Sequence, residues 1–119
     1  MNNLNPILIV AGEPYSVFLE LFFKTKKKNK NIILIVSKKL LQMQMKRLNF
    51  DYKINELEIN KIKLNKLQKN KINIVNVDFK FKKTFDKITN KSNNYIEKCF
   101  VTALDLIKKY KFSGLINGP

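Results

Sequence analysis

This chain of 119 residues has no histidine and a single cysteine, Cys99. Without histidine there is no Ser-His or Cys-His nucleophile pair, no histidine-ligated metal and no usual proton shuttle for neutral pH. One cysteine excludes an internal disulfide and a zinc cluster of cysteines. Cys99 falls on the apolar face of a predicted helix, so we expect a buried, unreactive thiol in a reducing, cytoplasmic setting.

Glycine, long apolar runs and paired carboxylates are also scarce. With three glycines there is no Gly-x-Gly-x-x-Gly sequence and no phosphate-binding loop. The longest apolar runs, 7–11 and 32–36, are far shorter than the roughly 20 residues that span a bilayer, and no signal peptide is visible. The nine carboxylates are scattered along the chain. We therefore predict one modest cytoplasmic domain with no catalytic residue and no metal site of its own.

Basic residues are abundant, and nearly all of them are lysine. The net charge is +15, and Arg47 is the single arginine among 24 basic residues. The lysines accompany 16 asparagines and 14 isoleucines, which is typical of an A/T-rich genome, and they spread over every segment. Arginine is the preferred residue for forked recognition of phosphates and guanines. We interpret the lysines as a solvated surface, and the dense run at 24–30 as the end of a helix.

The apolar pattern predicts a three-layer α/β fold with a mainly parallel sheet. Two continuous apolar runs, 6–11 and 31–36, are typical of strands buried on both faces. Ser37 is a plausible N-cap for a helix that uses either Met43 or Gln44 on its inner face. Strict alternation over 73–82 predicts a sheet-edge or antiparallel element, while 55–70 fits neither period. Further strands are expected near 50–54, 72–78 and 114–117, and helices near 15–26, 38–48 and 93–110.

Two short loops follow predicted strands at their carboxyl ends, where open α/β sheets bind ligands. The Gly12 loop (Gly12-Glu13-Pro14) follows the first strand, and the Gly118 loop (Asn117-Gly118-Pro119) follows the last. The alternative is that both are plain turns, with glycine for its backbone freedom and proline for its fixed φ. We expect the two loops to lie side by side, and we expect the chain to be the front part of a longer protein.

Three motifs follow one another along the chain: Val10-Ala11-Gly12-Glu13-Pro14, then Ser92-Asn93-Asn94-Tyr95, and then the block from Phe112 to Pro119. Together they resemble the N-terminal third of the NAD-dependent 4-hydroxythreonine-4-phosphate dehydrogenases. The block from about Ser92 onward is the most specific, and 55–71 is the weakest. This chain departs from the family where Tyr15 to Glu20 replace a glycine-rich continuation, and where Asn117 stands in place of threonine or serine.

The resemblance implies an incomplete fold like that of the isocitrate and isopropylmalate dehydrogenases. Residues 1–119 would be the N-terminal part of a two-domain subunit that forms a homodimer. The parent enzyme would oxidise 4-phosphooxy-L-threonine with NAD and a divalent metal, on the route to pyridoxal phosphate (vitamin B6). The metal of the family is held by histidines, so this chain alone would bind no cofactor, and its two loops would line the cleft between the domains.

Two alternatives from other classes remain. One is a small, lysine-rich nucleic-acid-binding α/β domain, whose aromatic contacts would have to come from Tyr52, Phe79 and Phe81. The other is a non-catalytic α/β fragment with no function of its own. We predict neither nucleic acid nor a membrane among the partners.

Overall fold

The computed structural model describes residues 5–25 and 31–118. The chain alternates strands and helices, and most predicted elements lie within a few residues of their expected positions. The predicted helix end at residue 26 and most of the lysine run at 24–30 lie outside the described residues. The elements are β1 (Ile7–Val10), α1 (Phe18–Thr25), β2 (Ile32–Val36), α2 (Lys38–Arg47), β3 (Ile54–Glu56), β4 (Ile72–Asn76), α3 (Asn93–Lys109) and β5 (Gly114–Asn117), with 3₁₀ turns at Leu64–Lys66 and Asn90–Ser92.

The five strands form one parallel sheet in the order β3-β4-β2-β1-β5. Leu8 of β1 lies opposite Ile33 of β2 on one side and Leu115 of β5 on the other. This confirms the predicted α/β class and the mainly parallel sheet. Because parallel strands end together, the segments that follow β1, β2, β4 and β5 all leave from the same edge of the sheet.

Alternate residues of β1 and β2 pack against two different layers. Leu8 and Ile33 point toward α3, on what we call the α3 face. Ile9 and Leu34 point toward α1 and α2, on the α1–α2 face. Burial on both faces explains why these strands are continuously apolar. No helix in the described part of the chain is long and apolar enough to cross a membrane.

The prediction of a sheet-edge or antiparallel element over 73–82 is wrong. β4 is an interior, parallel strand between β3 and β2, and it ends at Asn76. Three of the alternating polar residues, Asp78, Lys80 and Lys82, lie after the strand. Within it, Asn76 accepts a hydrogen bond from the Lys38 amide, and Asn73 is buried and exchanges two hydrogen bonds with the backbone of Gln68. Residues 77–89 form no helix or strand.

The segment between β3 and β4 takes the place of the α-helix that usually connects two parallel strands. Its apolar side chains pack on the α3 face beside α3 itself. Tyr110, at the end of α3, donates a hydrogen bond of 3.0 Å to the carbonyl oxygen of Ile59, and its hydroxyl accepts one of 3.3 Å from the amide of Ile62. The irregular 55–70 stretch is thus part of the core. The side chains concerned are Leu57, Ile59, Ile62, Leu64 and Leu67.

Exposed apolar side chains concentrate around β5, and we call them the β5 flank. Leu115 and Ile116 belong to β5 itself, on opposite faces of the sheet. On α3, Tyr95 and Lys109 reach toward Ser37 and Asn60, so the opposite side of the helix is turned toward the end of the sheet where β5 lies. On α1, Phe18 lies against Gly118. The β5 flank comprises Val17, which precedes α1, Leu21 of α1, Leu104 and Ile107 of α3, and Leu115 and Ile116 of β5.

Candidate functional site

The Gly12 and Gly118 loops lie side by side at the carboxyl edge of the sheet. β1 and β5 are neighbours, with Val10 opposite Asn117. The amide of Gly118 continues this pairing and donates a 2.7 Å hydrogen bond to the carbonyl oxygen of Val10. Pro119 lies outside the described residues. The expected juxtaposition of the two loops is therefore present, and it follows directly from the parallel pairing of their strands.

Each glycine of the two loops has a local structural reason. Gly12 has a φ of 76°, a left-handed conformation that side chains disfavour. At Gly118, a β-carbon would stand 2.5 Å from the carbonyl oxygen of Ala11 and 3.0 Å from Cγ of Phe18. Gly118 thus permits close packing of its loop on β1 and α1. Its amide is already engaged, so this loop would have to offer other groups to a ligand.

The Glu13 carboxylate holds the turn that leads into α1. Its Oε2 accepts a 2.9 Å hydrogen bond from the amide of Tyr15, and its own carbonyl oxygen accepts one of 3.3 Å from the amide of Ser16. The hydroxyl of Ser16 in turn accepts from the amide of Phe18, where the helix begins. The side chain of Glu13 is therefore engaged in holding the conformation of this loop.

Tyr15 connects this turn to the irregular segment 77–89. Its hydroxyl donates to the carbonyl oxygen of Lys83 at 3.2 Å, and its ring meets the edge of Phe79 at 5.9 Å. Burial, followed by the nearby carboxylates of Asp86 and Glu13, raises the pKa of the Tyr15 phenol above its ordinary value. The phenol is therefore a neutral hydrogen-bond donor at neutral pH.

Gln44 is a further residue of this edge, and the sequence offered it only as an alternative inner position of α2. Its amide nitrogen donates to the carbonyl oxygens of Pro14 and Thr84, both at 3.0 Å. Gln44 is buried, and within the described residues its Oε1 has no hydrogen-bond partner. The two carbonyl oxygens fix the orientation of the amide, because reversal would place oxygen against oxygen. Gln44 thus joins the Gly12 loop to segment 77–89.

The start of α2 lies at the same edge, and three backbone amides there donate hydrogen bonds to side chains. Ser37 caps the helix as predicted, because its hydroxyl accepts from the amide of Leu40. The Ser37 amide donates to the hydroxyl of Tyr95 at 2.8 Å, and the Lys38 amide donates to Oδ1 of Asn76 at 2.8 Å. Tyr95, the aromatic residue of the Asn-x-Tyr motif, therefore connects α3 to α2.

The described residues of this edge are turn residues and hydrogen-bonding side chains. Among the described residues, no three His, Cys, Asp or Glu side chains lie close enough together to hold a metal ion. Cys99 is buried, and burial raises the pKa of its thiol to about 11, so it is protonated at neutral pH.

Comparison with known proteins gives a match at the level of structure. No protein-family model matches the sequence, and no curated protein matches it. The fold matches a 4-hydroxythreonine-4-phosphate dehydrogenase from Burkholderia phymatum with a TM-score of 0.80 and 15% identity, over 99% of this chain and 37% of that one.

A second solved structure gives the same result. It is a protein assigned as a 4-hydroxythreonine-4-phosphate dehydrogenase from Salmonella typhimurium, with a TM-score of 0.78 and 11% identity, matched over 97% of this chain and 37% of that one. This chain thus spans little more than a third of the length of either structure. It is similar in fold, over nearly its whole length, to part of the 4-hydroxythreonine-4-phosphate dehydrogenases, the family that its sequence motifs resemble.

Proposed function

We propose that this chain is the N-terminal part of an NAD-dependent dehydrogenase subunit that oxidises 4-phosphooxy-L-threonine in the synthesis of pyridoxal phosphate. The observation that carries the proposal is the similarity in fold to two such dehydrogenases over 97–99% of the chain. The sequence motifs add support that does not depend on overall shape. Two of them form the Gly12 and Gly118 loops, which meet at the carboxyl edge, and the third begins α3.

The β5 flank supports the proposal that the chain is one part of a two-domain subunit. Exposed large apolar side chains are often covered by a partner surface, and here Leu115 and Ile116 are exposed on a strand that pairs only with β1 among the described strands. Further polypeptide packed against β5 would cover them. The solved structures are long enough to contain such polypeptide, because this chain matches 37% of their length.

In the complete subunit, the Gly12 and Gly118 loops would line the cleft between the domains. Glu13, Tyr15 and Gln44 would keep the Gly12 loop in one conformation, which lowers the entropy lost when a ligand binds. NAD would accept the hydride from the alcohol, and a divalent metal would polarise that alcohol. The described residues do not form a metal site, so its ligands would come from other residues of the parent. We further propose a cytoplasmic homodimer.

The test is made on the complete gene product. The transcript is sequenced across and beyond the codon for Pro119, and the whole reading frame is expressed. We expect an in-frame continuation that contains histidines, and NADH formation from 4-phosphooxy-L-threonine when a divalent cation is present. The 119-residue chain alone serves as the control and should form no NADH. A complete product that lacks histidines or leaves NAD unreduced would contradict the proposal.

A further inference from the structure

The polypeptide leaves β2 and β4 toward opposite faces of the sheet. After β2 it enters α2, which packs on the α1–α2 face. After β4 it turns to the α3 face, where the ring of Phe79 packs against Tyr95 with centroids 4.7 Å apart. β2 and β4 are adjacent. A crevice outside the carboxyl ends of two strands whose connections diverge in this way is the usual ligand position in open α/β sheets.

A depression of about 590 Å³ lies at this point. Ser37, Lys39 and Met43 form one wall, and residues 78–82 form the other. The second wall is attached firmly, because Tyr15 and Gln44 bind the carbonyl oxygens of the next two residues, Lys83 and Thr84. The depression is therefore built from the ends of two neighbouring strands and has fixed sides.

The charge of the depression favours an anion. Lys39, Lys80 and Lys82 line it, and none of the three forms an ion pair with a described carboxylate. Among the described lining residues the acidic one is Asp78, whose Oδ1 accepts a 3.0 Å hydrogen bond from the amide nitrogen of Asn76. The described lining thus carries three lysines and one carboxylate that is already partly satisfied.

The binding groups would be side chains, because the start of α2 has few free amides. Ser37 and Lys38 donate their amides to Tyr95 and Asn76, and the Leu40 amide goes to the hydroxyl of Ser37. A phosphoryl group matches three lysines well, because it offers several strong acceptor oxygens and up to two negative charges. Phe81, which stacks on Phe79 at 5.8 Å, adds an aromatic wall beside these lysines.

A larger groove elsewhere provides the comparison. It has a volume of about 790 Å³, runs along α2 and β3, and is also lined by lysines. Its Lys38 is paired with Glu56 at 3.0 Å, and Asp51 lines it as well. Apart from Lys38, its lining lies along α2 and around the amino ends of β3 and β4. Lysine content alone therefore does not single out the depression between β2 and β4.

We propose that the depression between the carboxyl ends of β2 and β4 binds the phosphoryl group of a small ligand through Lys39, Lys80 and Lys82. This proposal does not depend on the dehydrogenase assignment, because a phosphoryl site would exist whatever reaction the parent performs. The phosphoryl group has two possible sources, a phosphorylated metabolite without a ring or a nucleotide, and Phe81 distinguishes them.

Binding is measured by nuclear magnetic resonance on the isotope-labelled chain at constant ionic strength, with inorganic phosphate and AMP as probes and adenosine as the neutral control. We expect saturable shifts confined to amides of residues 37–43 and 78–82, with a dissociation constant of about 1 mM or tighter. The triple variant K39Q/K80Q/K82Q should weaken binding about tenfold or more. The matched variant K46Q/K53Q/K71Q removes the same charge from the larger groove and should leave binding unchanged.

The other outcomes either overturn the proposal or identify the source of the phosphoryl group. Shifts spread over lysines of the whole surface, equal losses in both triple variants, or no saturation would overturn the proposal. Five of the six mutated lysines are exposed and Lys71 is half-buried. The amide spectrum reports directly whether a variant is folded; if the first triple variant does not fold, the three single variants replace it. Tighter binding of AMP than of phosphate, lost in Phe81→Leu, identifies a nucleotide, whereas equal binding identifies the phosphoryl group alone.

Discussion

The carbonyl oxygen of Ala11 lies 2.5 Å from the point where a β-carbon on Gly118 would stand. The two residues belong to the segments that follow β1 and β5. The distance is shorter than the separation at which non-bonded carbon and oxygen atoms normally approach each other. A residue with any side chain at position 118 would have to push the two segments apart. The glycine of the third motif therefore has a packing role that is independent of any ligand.

We predict that Gly118→Ala destabilises the chain, because the new methyl group meets backbone atoms of Ala11 that cannot move freely. Overpacking of this kind lowers the free energy of unfolding by about 1–3 kcal/mol, which urea denaturation measures. Gly114→Ala is the matched control, since nothing lies within 4 Å of its added β-carbon. It should change stability by less than about 1 kcal/mol. Equal effects at both positions would contradict the packing role of Gly118.

Gln44→Leu should destabilise the chain, because the hydrogen-bond acceptors of the Gln44 amide would lose their donor. The carbonyl oxygens of Pro14 and Thr84 would lose a buried donor, at a cost of about 1–3 kcal/mol. Loosening should also be local, with faster amide exchange in the Gly12 loop and in residues 83–86. Unchanged stability and exchange would show that Gln44 does not hold these segments together.

Gln44→Glu adds a pH dependence that the leucine variant lacks. The new carboxylate would face two carbonyl oxygens in a buried site, so its pKa in the folded state should rise above the unfolded value of about 4.3. The penalty is then fully present at neutral pH and lessens as the pH falls and the group takes up a proton. Urea denaturation of both variants at pH 7 and near pH 4 measures this, each referred to the unmutated chain at the same pH. Parallel behaviour of the two variants would contradict the prediction.

Stability should fall at alkaline pH because of Cys99. Burial raises the pKa of its thiol from 9.0 to about 11, so the unfolded chain loses this proton first. The contribution of Cys99 to the free energy of unfolding is fully present below pH 9. It declines as the pH rises to 11, by about 2–3 kcal/mol in total. Cys99→Ala should remove this part of the slope. Burial also raises the pKa of Tyr95 above 10.0, so some decline above pH 10 should remain in the variant.

Thiol labelling gives an independent check on the same residue. At pH 8, Cys99 should react with a disulfide reagent only after urea has unfolded the chain. Rapid labelling of the folded chain would mean that the thiol is accessible and that the alkaline slope has another origin.

Binding to duplex DNA should be weak and insensitive to sequence. Two of the three aromatic residues that a nucleic-acid surface would need are packed within the protein: Tyr52 stacks on Phe50 at 6.1 Å, and Phe79 packs against Tyr95 at 4.7 Å. We expect dissociation constants of about 10⁻⁴ to 10⁻⁶ M at physiological salt, weakening steeply as salt is added. Fluorescence anisotropy with two unrelated duplexes measures this. Sequence-selective binding that persists at high salt would favour the nucleic-acid-binding alternative.

The sequence predicted the strands whose environment is the same on both faces. β1 and β2 are buried on the α3 face and on the α1–α2 face, so every position is apolar and the pattern has one interpretation. β4 misled because Asn76, Asp78, Lys80 and Lys82 alternate with apolar residues and suggested one wet face, although the strand ends at Asn76. Asn73 is instead satisfied inside the protein by Asn55 and Gln68, at distances of 2.8–3.1 Å. A polar residue in a strand indicates a solvent-exposed position only when no hydrogen-bond partner is available inside the protein. Such partners come from other parts of the sequence.

The positions of the two loops were also predictable, since parallel strands end at one edge. The residues that hold this edge together were not. Gln44 bonds to carbonyl oxygens 30 and 40 positions away, and Tyr95 reaches an amide 58 positions away. Carbonyl and amide groups are identical in every residue, so no sequence pattern marks the ones that will be reached. The 55–70 stretch was unreadable for a related reason, because it packs through irregular turns.

The composition of β5 has a consequence for the colloidal behaviour of the chain in solution. β5 contains neither proline nor a charged residue, the features that usually protect a strand edge from pairing with another molecule. Repulsion between copies comes from the net charge of +15 and reaches only about 10 Å at 0.1 M salt. We therefore expect added salt to lower the concentration at which the purified chain begins to aggregate through β5.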